Sequence, residues 1–483
     1  MRLSEIIVFI LYLILMFIFG IYFAFKQKND SEKSYFIGGR KMEAWVTALS
    51  AGAADMSAWV LMGLPTSIYA LGLGQIWISV GLAIGYTLSW LFEASRLRRF
   101  SIVAGDSITI PQYLTRRFLA NSRTLQVICA IVFLVAYTIY SASSVKACGI
   151  LFNTIVGVEA TKVMCLATFI ITSYTFIGGF SAICWIDFFQ GMLMLGAMLA
   201  VPIFTAAVLD TSTMTEVSAS YWNIFTDWRE IVSGLAWGLG YFGMPHIIIK
   251  FMSLKSQQEL NKSAKIGVAW TIIIVTFAVL IGVLGRLFLG FDETINENSL
   301  VFIATVRKIF PGILSGIFLS AVLAASMSTA DSQLLSASSA FANDVYQSVI
   351  RKNKATDREL LWCGRIVVLI VSVISLMIAL NPKAGSIMTL VMNAWGVFGS
   401  AFGPTIMLSL YWKRFNFSGA AAGIATGAIV DVLWCIFYSS SGIYELAPGF
   451  LAGLLSAIAV SLCTKAPSKD VENLFENAVS YKS

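Results

Sequence analysis

Charge is scarce in this chain: 12% of its 483 residues are Asp, Glu, Lys or Arg, where a soluble domain carries about 25%. With 58% hydrophobic residues and a mean hydropathy of +0.81, that scarcity excludes a soluble globular enzyme. It also excludes a soluble domain with one or two anchors, because no polar stretch is long enough to dilute such an average. Histidine is nearly missing. The single His246 excludes oxidases and zinc proteases that need several, and beside Pro245 it is expected to be a hydrogen-bonded interface residue. Seven cysteines lie singly with no CxxC spacing, which argues for packing residues rather than disulfides or a zinc site. Strand-type alternation is absent, which excludes a β-barrel. What is present is an all-α polytopic membrane protein, whose excess of 33 Lys and Arg over 26 Asp and Glu is read as topology and not as nucleic-acid binding.

Crossing roughly 30 Å of hydrocarbon takes about 17 to 25 mostly apolar residues. Thirteen such spans are expected, near 4–25, 44–70, 75–92, 125–149, 163–177, 182–207, 231–252, 267–288, 309–342, 366–380, 387–411, 419–438 and 447–463. Of the 33 basic residues, 24 fall in loops on one side, Lys250 among them, and seven on the other. Cytoplasmic loops retain Lys and Arg, so the N-terminus is expected outside and the C-terminus inside. The first span, preceded by one Arg and followed by several basic residues, reads as a signal anchor rather than a cleaved signal peptide.

An ionised side chain at mid-bilayer costs about 2.5 to 3.5 kcal/mol, so intramembrane acids invite a functional reading. Four are found: Asp55, Asp187, Asp331 and Asp431. Asp187 and Asp331 lie near span ends, where a capping or loop-facing structural role is the favoured reading, and Asp431 reads as structural. Asp55 stands in Ala48-Leu-Ser-Ala-Gly-Ala-Ala-Asp55-Met-Ser57, a run of small and hydroxyl residues that forms either a tight helix interface or an unwound segment exposing carbonyl oxygens. The seventh span has Gly234, Gly238, Gly240 and Gly243 before Pro245, and is expected to break. Trp237 and Tyr241, at i and i+4, would share a face of any helix that persists. The GxGxxG match at Gly238–Gly243 lacks the strand and helix that a dinucleotide site requires and is dismissed. In the ninth span, Ser328 and Thr329 can aim two oxygens into one cavity with the Ala325 carbonyl a turn earlier, an arrangement suited to a hard cation. Spans 2–6 and 7–11 form two sets of five, each opening on an interrupted helix. Such odd-length repeats in series are inverted in the membrane, the pattern of secondary transporters with a midplane site.

Phe36-Ile-Gly-Gly-Arg40, Ala48 to Trp59 with Leu61-Met-Gly-Leu-Pro65, Tyr174-Thr-Phe-Ile-Gly-Gly-Phe180, Trp237 to His246, and Met327-Ser-Thr-Ala-Asp-Ser-Gln-Leu-Leu335 together resemble the sodium/solute symporter family, and within it the sodium/proline branch. The resemblance implies a LeuT-type core of five plus five inverted spans, with one N-terminal and two C-terminal helices. It divides the chain into 1–43, a first repeat at 44–207, an external loop at 208–230, a second repeat at 231–411 and the remainder at 412–483. It implies Na⁺ as co-transported ion, held by Ala53, Met56, Ala325, Ser328 and Thr329, and proline as substrate at Ser57, Tyr140, Trp237, Tyr241 and Pro245. Asp55, Arg40, Ser50 and Asp187 match positions tied to coupling. It implies no enzyme activity and no obligatory protein partner, and it places the chain in the lipid bilayer of a bacterial cytoplasmic membrane. Three departures stand out: Met244 where the branch has Gln, Ala54 and Ala58 around Asp55, and Lys146. Six residues after Tyr140, Lys146 points away from the Tyr140 face, and either snorkels to the outer interface or marks a changed preference. The same fold with another small solute, such as pantothenate, another amino acid or a carboxylate, or with proton coupling through Asp55, is the alternative.

Overall fold

The computed structural model describes residues 3–26, 31–120, 122–210, 212 and 214–481; the basic residues Arg2, Lys28 and Lys482 used for orientation lie outside them. Helices make up the described chain, and one isolated bridge pairs Met42 with Leu254. The principal helices are α1 (Leu3–Lys26), α2 (Ala44–Asp55), α3 (Leu64–Leu71), α4 (Leu73–Val103) and α5 (Thr124–Val156). They continue with α6 (Ala160–Val208), α7 (Trp228–Ala236), α8 (Pro245–Ser253), α9 (Gln257–Leu289) and α10 (Gly312–Ser339). The last are α11 (Asp357–Leu380), α12 (Ile387–Tyr411), α13 (Phe417–Phe437), α14 (Leu446–Cys463) and the short amphipathic α15 (Lys469–Ser480).

Among the described residues, nine helices are long and apolar enough to cross a membrane, or ten if Trp228–Phe242 and Pro245–Ser253, bent by 43°, are taken as one span. The expected thirteen differ from this for physical reasons. Span 2 is split: α2 stops at Asp55, Met56 leaves the helical region (φ −87°, ψ 73°), and the chain re-enters through wide turns over Trp59–Gly63 into α3. Spans 5 and 6 run together as the 49 residues of α6, which would be on the order of 70 Å long if straight. They meet at Gly179, whose φ of +65° and ψ of −178° break the helical path in a conformation that glycine adopts without penalty. In α12, Gly396, Gly399, Gly403 and Pro404 dilute the hydropathy.

Small residues explain the centre. Every residue from 46 to 66 and from 319 to 335 is buried, because Ala, Gly and Ser let backbones approach where Leu would hold them apart. Accordingly α10 packs on α1, α5, α6, α11 and α2, while α2 packs on α6, α9 and α8. A second close approach joins α4 to the α7 segment. A methyl on Gly81 would stand 2.8 Å from Leu235 Cα, one on Gly234 would stand 2.7 Å from the Trp77 backbone, and Gly85 faces Gly238 backbone to backbone. At the opposite end, α15 is tied down by Lys413, 2.6 Å from Glu476 and 3.2 Å from Glu472, and by the Arg117 guanidinium 4.9 Å from the Phe475 ring centre.

Lys250 corrects the sequence reading. Counted among loop lysines, it lies in the last turn of α8 and is 1% exposed.

Candidate functional site

The break after Asp55 puts backbone carbonyls of α2 against α10. Ser328 Oγ donates to the Ala53 carbonyl at 2.8 Å and lies 3.2 Å from the Ala325 carbonyl, while Thr329 Oγ1 lies 3.4 Å from Ala53 O. Two carbonyls and two hydroxyls from segments far apart in sequence thus converge, all buried. Met56, the fifth expected ligand, occupies the non-helical position in the break. An all-oxygen set of this kind suits a hard cation.

Asp55 is fully buried and turned toward the bent span. Its Oδ2 accepts from Tyr241 OH at 2.6 Å, and its Oδ1 has no partner among the described residues. Its backbone carbonyl receives Tyr140 OH at 3.3 Å and Trp59 Nε1 at 3.4 Å. The expected solute residues Tyr140 and Tyr241 are therefore brought together with Asp55, and Ser57 Oγ accepts from Trp59 N at 3.5 Å in the same break.

The other wall is aromatic. Residues Trp237–Phe242 form a 3₁₀ segment with three residues per turn, so Trp237 and Tyr241 diverge instead of sharing the face that an α-helix would give them. Trp237 stacks between Trp59 (centroids 5.5 Å) and Tyr444 (5.2 Å), whereas Tyr241 meets Tyr86 (5.0 Å) and Trp395 (5.2 Å) edge-on. Trp395 Nε1 donates to the Trp237 carbonyl at 2.9 Å, rejoining the two. Pro245 is the first residue of α8, where its missing N–H costs no hydrogen bond, and Met244 before it is buried. His246 lies 5.7 and 6.0 Å from the Tyr137 and Tyr140 ring centres. Contrary to expectation, neither of its ring nitrogens meets a partner in hydrogen-bond geometry among the described residues.

Ser50 and Asp187 form a separate cluster around Lys250. The Lys250 ammonium contacts Asp187 Oδ2 at 2.9 Å, Ser50 Oγ at 2.6 Å, the Ser50 carbonyl at 2.8 Å and Ser332 Oγ at 3.3 Å; Ser50 Oγ also donates to Asp187 Oδ2 at 2.7 Å. Asp331 is buried near this pair, with Tyr174 and the Ser332 backbone beside its carboxylate. Sequence reasoning missed Lys250, although the apolar residues on both sides of it, Ile247–Ile249 and Phe251–Met252, are a poor match for a loop.

Arg40 is not brought to the break. With φ +55°, it donates to Asp106 Oδ1 at 2.8 Å, the Met252 carbonyl at 2.5 Å and the Ser107 carbonyl at 2.7 Å, and Lys33 joins it on Asp106. Burial alone would raise the Asp106 carboxyl, but Lys33 and Arg40 outweigh it and hold the group below its usual range. Lys146 reaches out of α5 to the Gly385 carbonyl in the turn between α11 and α12, away from the break.

Comparisons with known proteins agree with this architecture. A family model described as the sodium:solute symporter family matches residues 35–427. The high-affinity proline transporter PutP of Bacillus subtilis (strain 168) is 42% identical over 464 residues, covering 94% of this chain and 98% of that protein. The osmoregulated proline transporter OpuE of the same strain is 40% identical over 475 residues, covering 96% of each. Among solved structures, the substrate-bound outward-open state of a Na⁺-coupled sialic acid symporter superposes with a TM-score of 0.81 at 19% identity, over 96% of this chain and 98% of that one; this likeness concerns the fold. By the extent of the family match and the identity to these transporters, the chain belongs to the sodium:solute symporter family.

Proposed function

We propose that the chain carries L-proline inward with sodium by alternating access. The observation that carries the reading is the meeting of Ser328 Oγ, Thr329 Oγ1 and the Ala53 and Ala325 carbonyls at the break in α2. In this reading Na⁺ is bound by those groups and Met56. Proline sits against Ser57, Tyr140, Trp237, Tyr241 and Pro245, its carboxylate meeting backbone N–H groups at a half-helix terminus and its ring meeting the aromatic wall. Asp55 links the two, since Tyr241 and Tyr140 both bond to it. Ser50 and Asp187 act through Lys250, and Arg40 acts by fixing the loop at Asp106 to the end of α8. The relatives' printed activity, proline transport, supports this substrate.

The finer architecture belongs to the same proposal. Taking α2 with α3 as one crossing, α6 as two, α7 with α8 as one, and α12 as one gives thirteen crossings in a five-plus-five inverted core, N-terminus outside and C-terminus in the cytoplasm of a bacterium, with no protein partner needed. One charge moved across about 100 mV supplies about 2.3 kcal/mol and a tenfold sodium gradient about 1.4 kcal/mol. Together they sustain roughly 500-fold accumulation at perfect coupling.

The test is labelled-proline uptake into liposomes holding the purified chain, with sodium and proton gradients varied separately. Uptake that follows sodium is expected. Uptake indifferent to sodium overturns the coupling, and sodium-driven uptake of another solute with proline inert overturns the substrate alone.

A further inference from the structure

A groove of about 610 Å³ runs between α5 and α11, closed on a third side by Ala340–Ile350, a segment of wide helical turns that continues α10. Its outer ridge is Trp362, Ile366, Ile370 and Ile374 of α11, each one turn after the last and 39 to 52% exposed. Val367 and Val371 of the same helix, 7% and 3% exposed, form the floor, and Leu134 and Thr138 of α5 line it from across. The polar groups of Thr138 are already engaged: its Oγ1 donates to the Leu134 carbonyl at 2.5 Å, and its carbonyl accepts from Ser375 Oγ at 2.9 Å. The depth of the groove therefore suits hydrocarbon and not a polar solute.

The mouth has the opposite character. Trp362 and Tyr346 stand there with Glu359, whose carboxylate is matched: Oε1 accepts from Arg351 at 3.0 Å and Oε2 from the Thr356 N–H at 3.0 Å. A surplus of cations remains. Arg358 precedes Trp362 by one turn, Lys352 and Lys354 lie in the exposed loop just after Ile350, and Arg123 donates to the Val349 carbonyl at 3.3 Å. Among the described residues none of these four is in an ion pair, and Asp357 is the one other acid from 351 to 359.

Polarity thus falls along the groove from cations, through Trp and Tyr, to branched aliphatic side chains, the order of headgroup, interface and acyl region in a bilayer. The length agrees. The fifteen steps from Glu359 to Ile374 cover about 22 Å of helix, and half a bilayer with its headgroups measures about 20 to 22 Å. We propose that the groove binds one anionic phospholipid of the phosphatidylglycerol type, an acyl chain lying on Val367 and Val371 and the phosphate meeting Arg123, Lys352, Lys354 and Arg358. Basic clusters beside transmembrane helices suit such headgroups, whereas a zwitterionic lipid would bring a further cation to a mouth already rich in them. The walls belong to helices that also reach the break. Tyr140 lies two residues beyond Thr138 on α5, and Ala340–Ile350 prolongs the helix of Ser328 and Thr329. A bound lipid therefore ties these two helices together at their outer side.

The test places the full chain in phosphatidylcholine nanodiscs containing increasing fractions of phosphatidylglycerol or phosphatidylcholine brominated near the headgroup end of the acyl chains. Quenching at Trp362 is read as the difference in fluorescence between the unaltered chain and Trp362→Phe. Saturable quenching by brominated phosphatidylglycerol is expected at about a tenth of the mole fraction that brominated phosphatidylcholine requires. Exchanging Arg123, Lys352 and Arg358 together for Gln should remove this preference, and Val371→Phe, which fills the floor, should remove it with every charge in place. Equal quenching by the two headgroups, or a preference that survives the triple exchange, overturns the proposal. So does a second copy of the chain on this face, seen as Ile366→Cys chains cross-linking to one another where the unaltered chain does not.

Discussion

Lys250→Met offers the sharpest check on the packing between α2, α6, α8 and α10. The ammonium lies 2.9 Å from Asp187 Oδ2, and the two side chains are 2% and 0% exposed. At an effective dielectric constant of about 20 their attraction is about 6 kcal/mol, set against a desolvation cost of several kcal/mol per ion. The pair is close to neutral when present together. Removing one member is different, because the carboxylate left behind retains only the hydroxyls of Ser50 and Ser332. A loss of about 3 to 5 kcal/mol is expected, or a melting point lower by roughly 3 to 5 °C for a chain of this length. Asp187→Asn is expected to cost a similar amount, and the double variant to fall short of additivity by about 3 kcal/mol. Cys129, Cys148 and Cys184 are buried thiols, so labelling by a fluorogenic maleimide during a thermal ramp in detergent reports the unfolding. A Lys250→Met chain that melts with the unaltered one, or a strictly additive double variant, refutes the claim that these charges sustain one another.

Further outcomes are expected. Ser328→Ala and Thr329→Ala should each raise the sodium concentration for half-maximal proline uptake at least tenfold, about 1.4 kcal/mol, while melting shifts by no more than the ~1 kcal/mol of one hydrogen bond; unchanged sodium dependence contradicts the cation assignment. Gly85→Ala should impair assembly or uptake, because its methyl would collide with the Gly238 backbone, whereas Gly196→Ala, with nothing within 4 Å, should behave as the unaltered chain; purification yield and initial uptake rate separate them. For Asp106, whose carboxyl is held low in the folded chain, the stabilisation is present above the unfolded value of about 3.9 and is lost as pH falls through the lower folded value. The melting difference between the unaltered chain and Asp106→Asn should therefore be constant from about pH 5 to 8 and shrink only in stronger acid; a difference that vanishes near neutrality contradicts the latch.

Some of this was legible in the sequence because it rests on backbone chemistry. Glycines before Pro245 announced a break whatever their partners, the run of small residues around Asp55 offered one beside a tight helix interface, and the adjacent hydroxyls Ser328 and Thr329 announced an oxygen-rich spot. Tertiary pairings were not legible. Trp59, Tyr86, Trp395 and Tyr444 are ordinary apolar positions until folding stacks them on Trp237 and Tyr241. Lys250 was misplaced because a rule about loop charges cannot recognise a lysine whose counter-ion, Asp187, lies 63 residues earlier in the chain. Glu93 escaped notice for a related reason: it sits just past an apolar run, yet it is wholly buried and accepts from Ser89 Oγ at 2.9 Å.

The contact of Gly81 and Gly85 with Gly234 and Gly238 has a mechanical meaning. Where helices interlock through side chains, sliding requires each residue to climb out of a socket and settle in the next, and such packing favours discrete positions. A track of bare backbone has no sockets. Backbone meets backbone along this stretch, and what keys the bent span to its neighbours is the aromatic set at its bend, Trp237 and Tyr241 against Trp59, Tyr86, Trp395 and Tyr444.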